Sequence, residues 1–214
     1  MRLADATSPE TTRSGLVLVP LGSVEQHGPH LPLDTDTVIA VAVAERVAAE
    51  LGAWVAPALS YGSSGEHQSF PGTASVGTEA LTHVVVELVR SLRTWASRVV
   101  IVNAHGGNVA ALNASDEIEW MPCATEDLSD VGSDLHAGFT ETSLMLHLRP
   151  ESVRLDRAVA GNTRSLREIL PVMMVGGVAA VSPNGVLGDP AGASAAEGER
   201  VLKAMVADIV ERLS

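Results

Sequence analysis

The sequence predicts an α/β fold with a mostly parallel sheet covered on both faces, and three observations carry the prediction. Short Val/Ile-rich runs alternate with longer Ala-, Val- and Leu-rich segments of helical spacing along the whole chain. The clearest strand candidates, Leu16 to Val19 and Arg98 to Asn103, carry continuous apolar runs (the second over Val99 to Val102) rather than alternating ones, as strands buried on both faces do. With 214 residues, 46% of them apolar and 19% charged, and a mean hydropathy of +0.21, the chain can bury one sizeable core.

The elements follow in order. Met1 to Ser14 is polar and mixed in charge, and is expected as a flexible N-terminal segment (1–14) ahead of a single domain spanning 15–214. A strand over Leu16 to Val19, bounded by Gly15 and Pro20, leads into a Gly/Pro-bearing loop from Gly22 to Asp36. A helix is expected over Thr37–Leu51, closed by Gly52, then a short strand at Trp54–Pro57 and a Ser/Gly-rich loop over Ala58–Gly72. Thr78–Ala96 reads as a helix with Leu81, Val85, Leu88 and Leu92 along one stripe. The strand Arg98–Asn103 ends in the tight loop Ala104–Asn108. A helix over Val109–Ile118, a strand at Trp120–Cys123 and an acidic, structureless stretch at Thr125–Asp134 come next. Gly138–Leu148 is expected as a helix stopped by Pro150, Asp156–Pro190 as mostly loop with a hairpin, and Ala195–Leu213 as an amphipathic closing helix.

Composition narrows the function. Three Trp, two Phe and one Tyr give no base-stacking platform, and 14 Lys plus Arg against 26 Asp plus Glu (net charge −12) give no phosphate-tracking surface, so nucleic acid is not an expected partner. The single Cys123 forms no internal disulfide and reads as a small buried hydrophobe; a cytoplasmic protein is expected. The longest apolar run, Val172 to Val181, is ten residues and carries Gly176 and Gly177, too short to span a bilayer. The N-terminus lacks the apolar core of a signal peptide.

The chemistry concentrates in four loops. Glu25 to Asp36 packs His27, His30 and three carboxylates directly after the first strand, where ligands of open α/β sheets bind. Its Glu-x-His pair, with Asp36 nine residues beyond His27, offers mixed N/O donors suited to Zn²⁺, Fe²⁺ or Mn²⁺. Asn103-Ala104-His105-Gly106-Gly107-Asn108 follows another strand and brings His105 to the same edge. His136 and Glu141 lie five apart across Gly138; the carboxylate could complete a metal shell while the histidine serves as acid or base. Gly65 to Thr73, with Glu66 and His67, could line the pocket. Each stretch alone also fits a structural role: Asp34 or Thr35 as a helix cap, Glu141 as a helix-dipole partner, Phe70-Pro71-Gly72 as a rigid turn. His83 and His147 read as packing residues.

Together GSVEQHGPHLPLDTD, FPGT, NAHGGN and HAGFTETS, in this order, resemble the creatininase (creatinine amidohydrolase) family from Leu16 to the C-terminal helix. The resemblance implies a three-layer α/β/α sandwich and a binuclear centre of two divalent ions, Zn²⁺ and/or Fe²⁺ with Mn²⁺ as a further option. On it, Glu25, His27, Asp36, His105 and Glu141 match the metal ligands, with Asp36 bridging, and His136 matches the catalytic histidine. Glu66, His67, Gly107 and Asn108 are candidate substrate contacts. The chain departs from creatininase proper at Gly107, where that enzyme has a glutamate, and at Leu135, where it has an acidic residue. YGSSGEHQSFPGT, GTEALT, GGVAAVS, GVLGDP and AAEGER are similar to the mycofactocin-system branch of the family, implying a peptidase that acts on a maturase-modified ribosomal precursor peptide. Other readings are a cyclic amidohydrolase or deformylase of a small metabolite, or a non-enzymatic scaffold built on Glu126–Asp134 and the last helix. The family also implies a homo-oligomer.

Overall fold

The computed structural model describes residues 1–11, 14–124 and 134–214. Among the described residues four parallel strands, β1 (Ser14–Leu21), β2 (Trp54–Val55), β3 (Ala96–Asn103) and β4 (Trp120–Pro122), form one sheet in the order β2-β1-β3-β4. Helices α1 (Thr35–Leu51), α2 (Thr78–Leu92), the short α3 (Val109–Leu112), α4 (Phe139–Leu148), α5 (Leu166–Gly176) and α6 (Ala195–Leu213) complete the fold.

The apolar strands supply two cores because successive side chains point to opposite faces. Leu18, Val100 and Val102 pack with Val43 of α1, Leu144 of α4 and Ile209 of α6. Val17, Val19 and Ile101 point the other way, against Leu81 and Val85 of α2 and Leu112 of α3. Helices on both faces of a parallel sheet are the α/β/α sandwich that the pattern and the resemblance implied.

Several expectations hold in detail. Gly52 caps α1 in the left-handed region at φ 66°, its N–H donating to the Ala48 carbonyl. Val201, Met205, Ile209 and Leu213 are the buried stripe of α6. Apart from these, the segment expected as flexible meets the sheet at its start, where the Met1 carbonyl accepts from Val55 N at 2.8 Å.

Others are corrected. Helix α2 stops at Leu92 rather than Ala96, because β3 already pairs with β1 from Ala96; Val89 takes the fully buried place expected for Leu88. Helix α3 ends at Leu112 instead of Ile118. His83, expected to pack, is exposed on α2. The stretch 156–190 is mostly loop, as expected, but it also contains α5, started by a capping box between Ser165 and Glu168, and no hairpin occurs there among the described residues. The acidic stretch expected at Thr125–Asp134 lies, apart from Asp134, outside the described residues.

The strand order positions the site. From β1 the chain crosses to β2 on one side and then to β3 on the other, so β1 and β3 flank a topological switch point. Leu21 and Asn103 are paired at the ends of these strands, and the loops that carry Glu25 and His105 leave side by side.

Candidate active site

All six residues matched to ligand or catalytic roles converge at this switch point. His105 Nε2 lies 3.2 Å from Glu25 Oε2, and its Nδ1 3.4 Å from Asp36 Oδ2. His27 Nε2 lies 3.0 Å from Asp36 Oδ1 and 3.9 Å from Glu141 Oε2. His136 Nδ1 approaches Glu25 Oε1 at 3.6 Å. Donor atoms of Glu25, Asp36 and His105, and likewise of His27, Asp36 and Glu141, all lie within 4.8 Å of one another. Asp36 belongs to both trios. A third trio with the same spacing joins Glu25, His27 and His136.

Local structure explains the convergence. Asp36 is in the first turn of α1, where Ser23 Oγ donates to its Oδ2 at 2.6 Å. His27 Nδ1 is 3.1 Å from the Glu25 backbone carbonyl, which turns Nε2 toward Asp36. His30, buried, bonds Thr142 Oγ1 at 2.8 Å and so ties the first loop to α4, next to Glu141. Ala137 is a non-glycine residue in the left-handed region (φ 53°), held by its N–H donating to Glu141 Oε2 at 2.6 Å. That kink, which costs on the order of 1 kcal/mol, points His136 and Glu141 at the same centre.

The charges are coupled through burial. Burial raises Glu25 to about 7, helped by the neighbouring Asp36. Burial also raises Glu141, against the pull of His27, to about 7. Desolvation works to lower His27, but Asp36, then Glu141 and Glu25, raise it to about 10. Asp36, despite burial, is held low by His27. Burial, and then the neighbouring imidazoles His27 and His67, push His136 well below its ordinary value. His67 is likewise depressed, to about 3, by burial and then His105.

Both carboxylate oxygens of Glu25 are buried without a hydrogen-bond donor. A buried carboxylate left so is costly unless a cation takes it. The donor set is hard oxygen and imidazole nitrogen with no thiolate, which suits Zn²⁺, Mn²⁺ or Fe²⁺. The residues fit divalent cations.

A prediction follows for the metal-free protein. His27 has a folded pKa of about 10 against 6.5 unfolded, so its stabilisation is complete below pH 6.5 and is lost as pH rises toward 10. Glu25 and Glu141 act with the same sign up to about 7, whereas His67 and His136, being depressed, are neutral in both states above pH 6.5. Chelator-treated protein is therefore expected to lose Tm between pH 7 and 9, and metal-saturated protein to keep it, because a cation replaces the His27 proton. Scanning fluorimetry across that range checks this; parallel pH profiles with and without metal would contradict it.

Of the candidate substrate contacts, Glu66, His67 and Gly107 line a cavity of about 750 Å³ above the centre. His67 Nε2 is 3.4 Å from Glu25 Oε1, and Glu66 Oε1 is 3.6 Å from His105 Nε2. A Cβ on Gly107 would come within 2.5 Å of both Glu66 Oε1 and His105 Nε2, so glycine leaves Glu66 its place. Asn108 is fully buried beneath: its Oδ1 accepts from Ser63 N, and its Nδ2 donates to the Gly22 and Asn103 oxygens, clipping three loops together. Cys123, partly buried against the sheet, is a packing residue whose thiol burial pushes up.

Sequence reasoning passed over Gln26. Its amide nitrogen donates to His67 Nδ1 (2.8 Å) and the Gly185 carbonyl (3.0 Å), and its Oε1 accepts from Gly28 N (2.8 Å). The Gln26 backbone carbonyl accepts from His136 Nε2 at 2.8 Å. The Nε2 proton of His136 is thus committed, and Nδ1 faces the centre. The one signal for Gln26 was its position between two candidate ligands.

The family model described as creatinine amidohydrolase matches residues 4–213. The chain belongs to the creatininase family. It is accordingly a hydrolase. A mycofactocin precursor peptide peptidase of Mycolicibacterium smegmatis (strain ATCC 700084 / mc(2)155) is 52% identical over 92% of this chain and 84% of its own length. Two solved creatininases share the fold across 99% of this chain and 96% of theirs: a manganese form (28% identical, TM-score 0.82) and a mutant of Zn-Zn type (27%, 0.81). Divalent metals are thus seen in the family, and the carboxylate–imidazole cluster of this creatininase-family chain offers groups that could hold such an ion. No helix among its described residues is long and apolar enough to cross a membrane.

Proposed function

We propose that this creatininase-family chain is a metal-dependent peptidase that hydrolyses the maturase-modified mycofactocin precursor peptide. The amide before the decarboxylated, cross-linked Val-Tyr end is cut, and the pyrrolidinone amine is released for redox-cofactor assembly. The observation that carries this reading is the 52% identity to a peptidase of that name across 92% of the chain. The cavity of about 750 Å³ over the carboxylate–imidazole cluster supports it, being roomy enough for a peptide end.

Glu25, Asp36 and His105 would hold one divalent cation and His27, Asp36 and Glu141 another, with Asp36 shared; Zn²⁺ and Fe²⁺ lead, with Mn²⁺ as an alternative. Bound there, such cations polarise the scissile carbonyl and acidify water toward neutrality. The chain's own residues do the rest. His136, neutral through burial, takes a proton at Nδ1 and passes it to the leaving amine nitrogen. Gln26 fixes the ring through its backbone carbonyl and holds His67 through its amide. Glu66, His67 and Gly107 bound the substrate, and Asn108 shapes that wall from below. We read residues 15–214 as one catalytic unit, cytoplasmic and homo-oligomeric.

Gln26→Leu removes the amide that orients His67 and leaves the Gly185 carbonyl without its donor. A fall in kcat of about 10–100-fold with both metal trios intact is expected, as for other residues that orient a site; steady-state kinetics with metal analysis checks it.

Mass spectrometry of the modified peptide incubated with metal-loaded protein tests the function itself. Release of the two-residue-derived amine, suppressed by chelator, is expected. An intact peptide beside folded, metal-bound protein would overturn the substrate.

A further inference from the structure

Helix α5 is apolar nearly all round. Its two charged residues, Arg167 and Glu168, are confined to the first turn, and the rest is Ile, Leu, Pro, Val, Met and Gly. One side is anchored: Ile169 is fully buried and, with Val178 and Leu187, packs against Phe70, Leu135 and Met173. The other side is open, with Met174 77% and Val175 92% exposed. An all-apolar helix requires something to cover it.

What it faces decides the occupant. Leu166, Leu170, Met173, Met174 and Val175 line the same cavity as Glu25, His105 and His136. Gly177, at φ 68°, lets the end of α5 rest on the turn that carries Glu66: a Cβ there would meet the Glu66 carbonyl at 2.6 Å. Apolar wall and polar floor are thereby continuous. The stripe Leu166, Leu170, Met173, Met174 follows i, i+4, i+7, i+8, one helix face turned into the cavity. Flexible Met side chains suit an apolar partner of irregular shape.

The geometry points to α5 as the specificity wall of the site: it takes a bulky apolar or aromatic side chain on a residue flanking the scissile amide. A small polar cyclic amide would leave the wall in water. This rests on the peptidase reading and adds to it which part of the substrate the chain reads and with which residues. Burying one such side chain brings enough transfer free energy for a preference of about ten-fold or more.

Calorimetry with metal-loaded protein tests it, using two probes: N-acetyl-valyl-tyramide and N-acetyl-glycyl-ethylamide. Wild type is expected to bind the first at least about ten-fold tighter, and Leu170→Ser/Met174→Ser to lose that preference with metal content unchanged. Both positions are exposed, so the double variant leaves the core intact; a single Met174→Glu variant should lose the preference as well. Equal binding of the two probes by wild type, or a preference kept by both variants, would overturn the inference. So would a variant that loses only subunit assembly in size-exclusion chromatography, which would assign the face to a second copy. The modified precursor peptide is assayed in parallel. Cleavage without an apolar preference would sink the wall and leave the peptidase; an apolar preference without cleavage would do the reverse.

Discussion

Asp36→Ala is expected to abolish cation binding in both trios at once and to lower turnover by at least about 10³-fold. Asp36 is the one residue common to Glu25/Asp36/His105 and His27/Asp36/Glu141, so its carboxylate is required twice. Its removal also frees His27 Nε2, whose high pKa depends on Asp36 above all other neighbours. Two imidazoles and two carboxylates remain, but without the shared oxygens like charges are no longer offset across the cluster. Losing the several kcal/mol that cations contribute to such a transition state corresponds to the stated fall in rate. Metal analysis by plasma mass spectrometry, paired with peptide turnover, reads both halves. A variant that keeps its full metal complement would show that Asp36 is not the bridge.

The second large effect is expected at His136. Its Nδ1 faces the centre and its Nε2 is bonded to the Gln26 carbonyl, the arrangement of a residue that moves a proton rather than one that packs. His136→Ala should cut kcat by about 10²–10⁴-fold, the usual weight of positioned acid–base catalysis, while metal content is unchanged. The competing role is concrete, because Glu25, His27 and His136 also form a trio of metal-ligand spacing. The two roles separate cleanly: a proton carrier leaves the cations in place when removed, whereas a ligand takes one with it. Turnover left intact would remove His136 from the reaction altogether.

What is legible in the sequence follows from where the information lies. The sheet was legible because its strands are short uninterrupted apolar runs, and the ligand set because Glu25, His27, Asp36 and His105 sit just past strand ends, where the fold brings loops together. Helix α5 was not: Pro171 lies inside it and apolar residues surround it, so no 3.6-residue period stands out, although the Ser165–Glu168 capping box marked its start. Gln26 was not legible because its partners His136 and Gly185 lie 110 and 159 residues away. Asn108 looked like a pocket residue beside His105, yet its amide faces down into Gly22 and Ser63, a direction that spacing alone does not encode.

Anomalous diffraction from crystals grown with Zn²⁺ or Mn²⁺ tests the shared-carboxylate centre directly. Two anomalous peaks are expected, one bounded by Glu25, Asp36 and His105 and the other by His27, Asp36 and Glu141, with Asp36 touching both. A single peak, or one held by Glu25, His27 and His136, would contradict it.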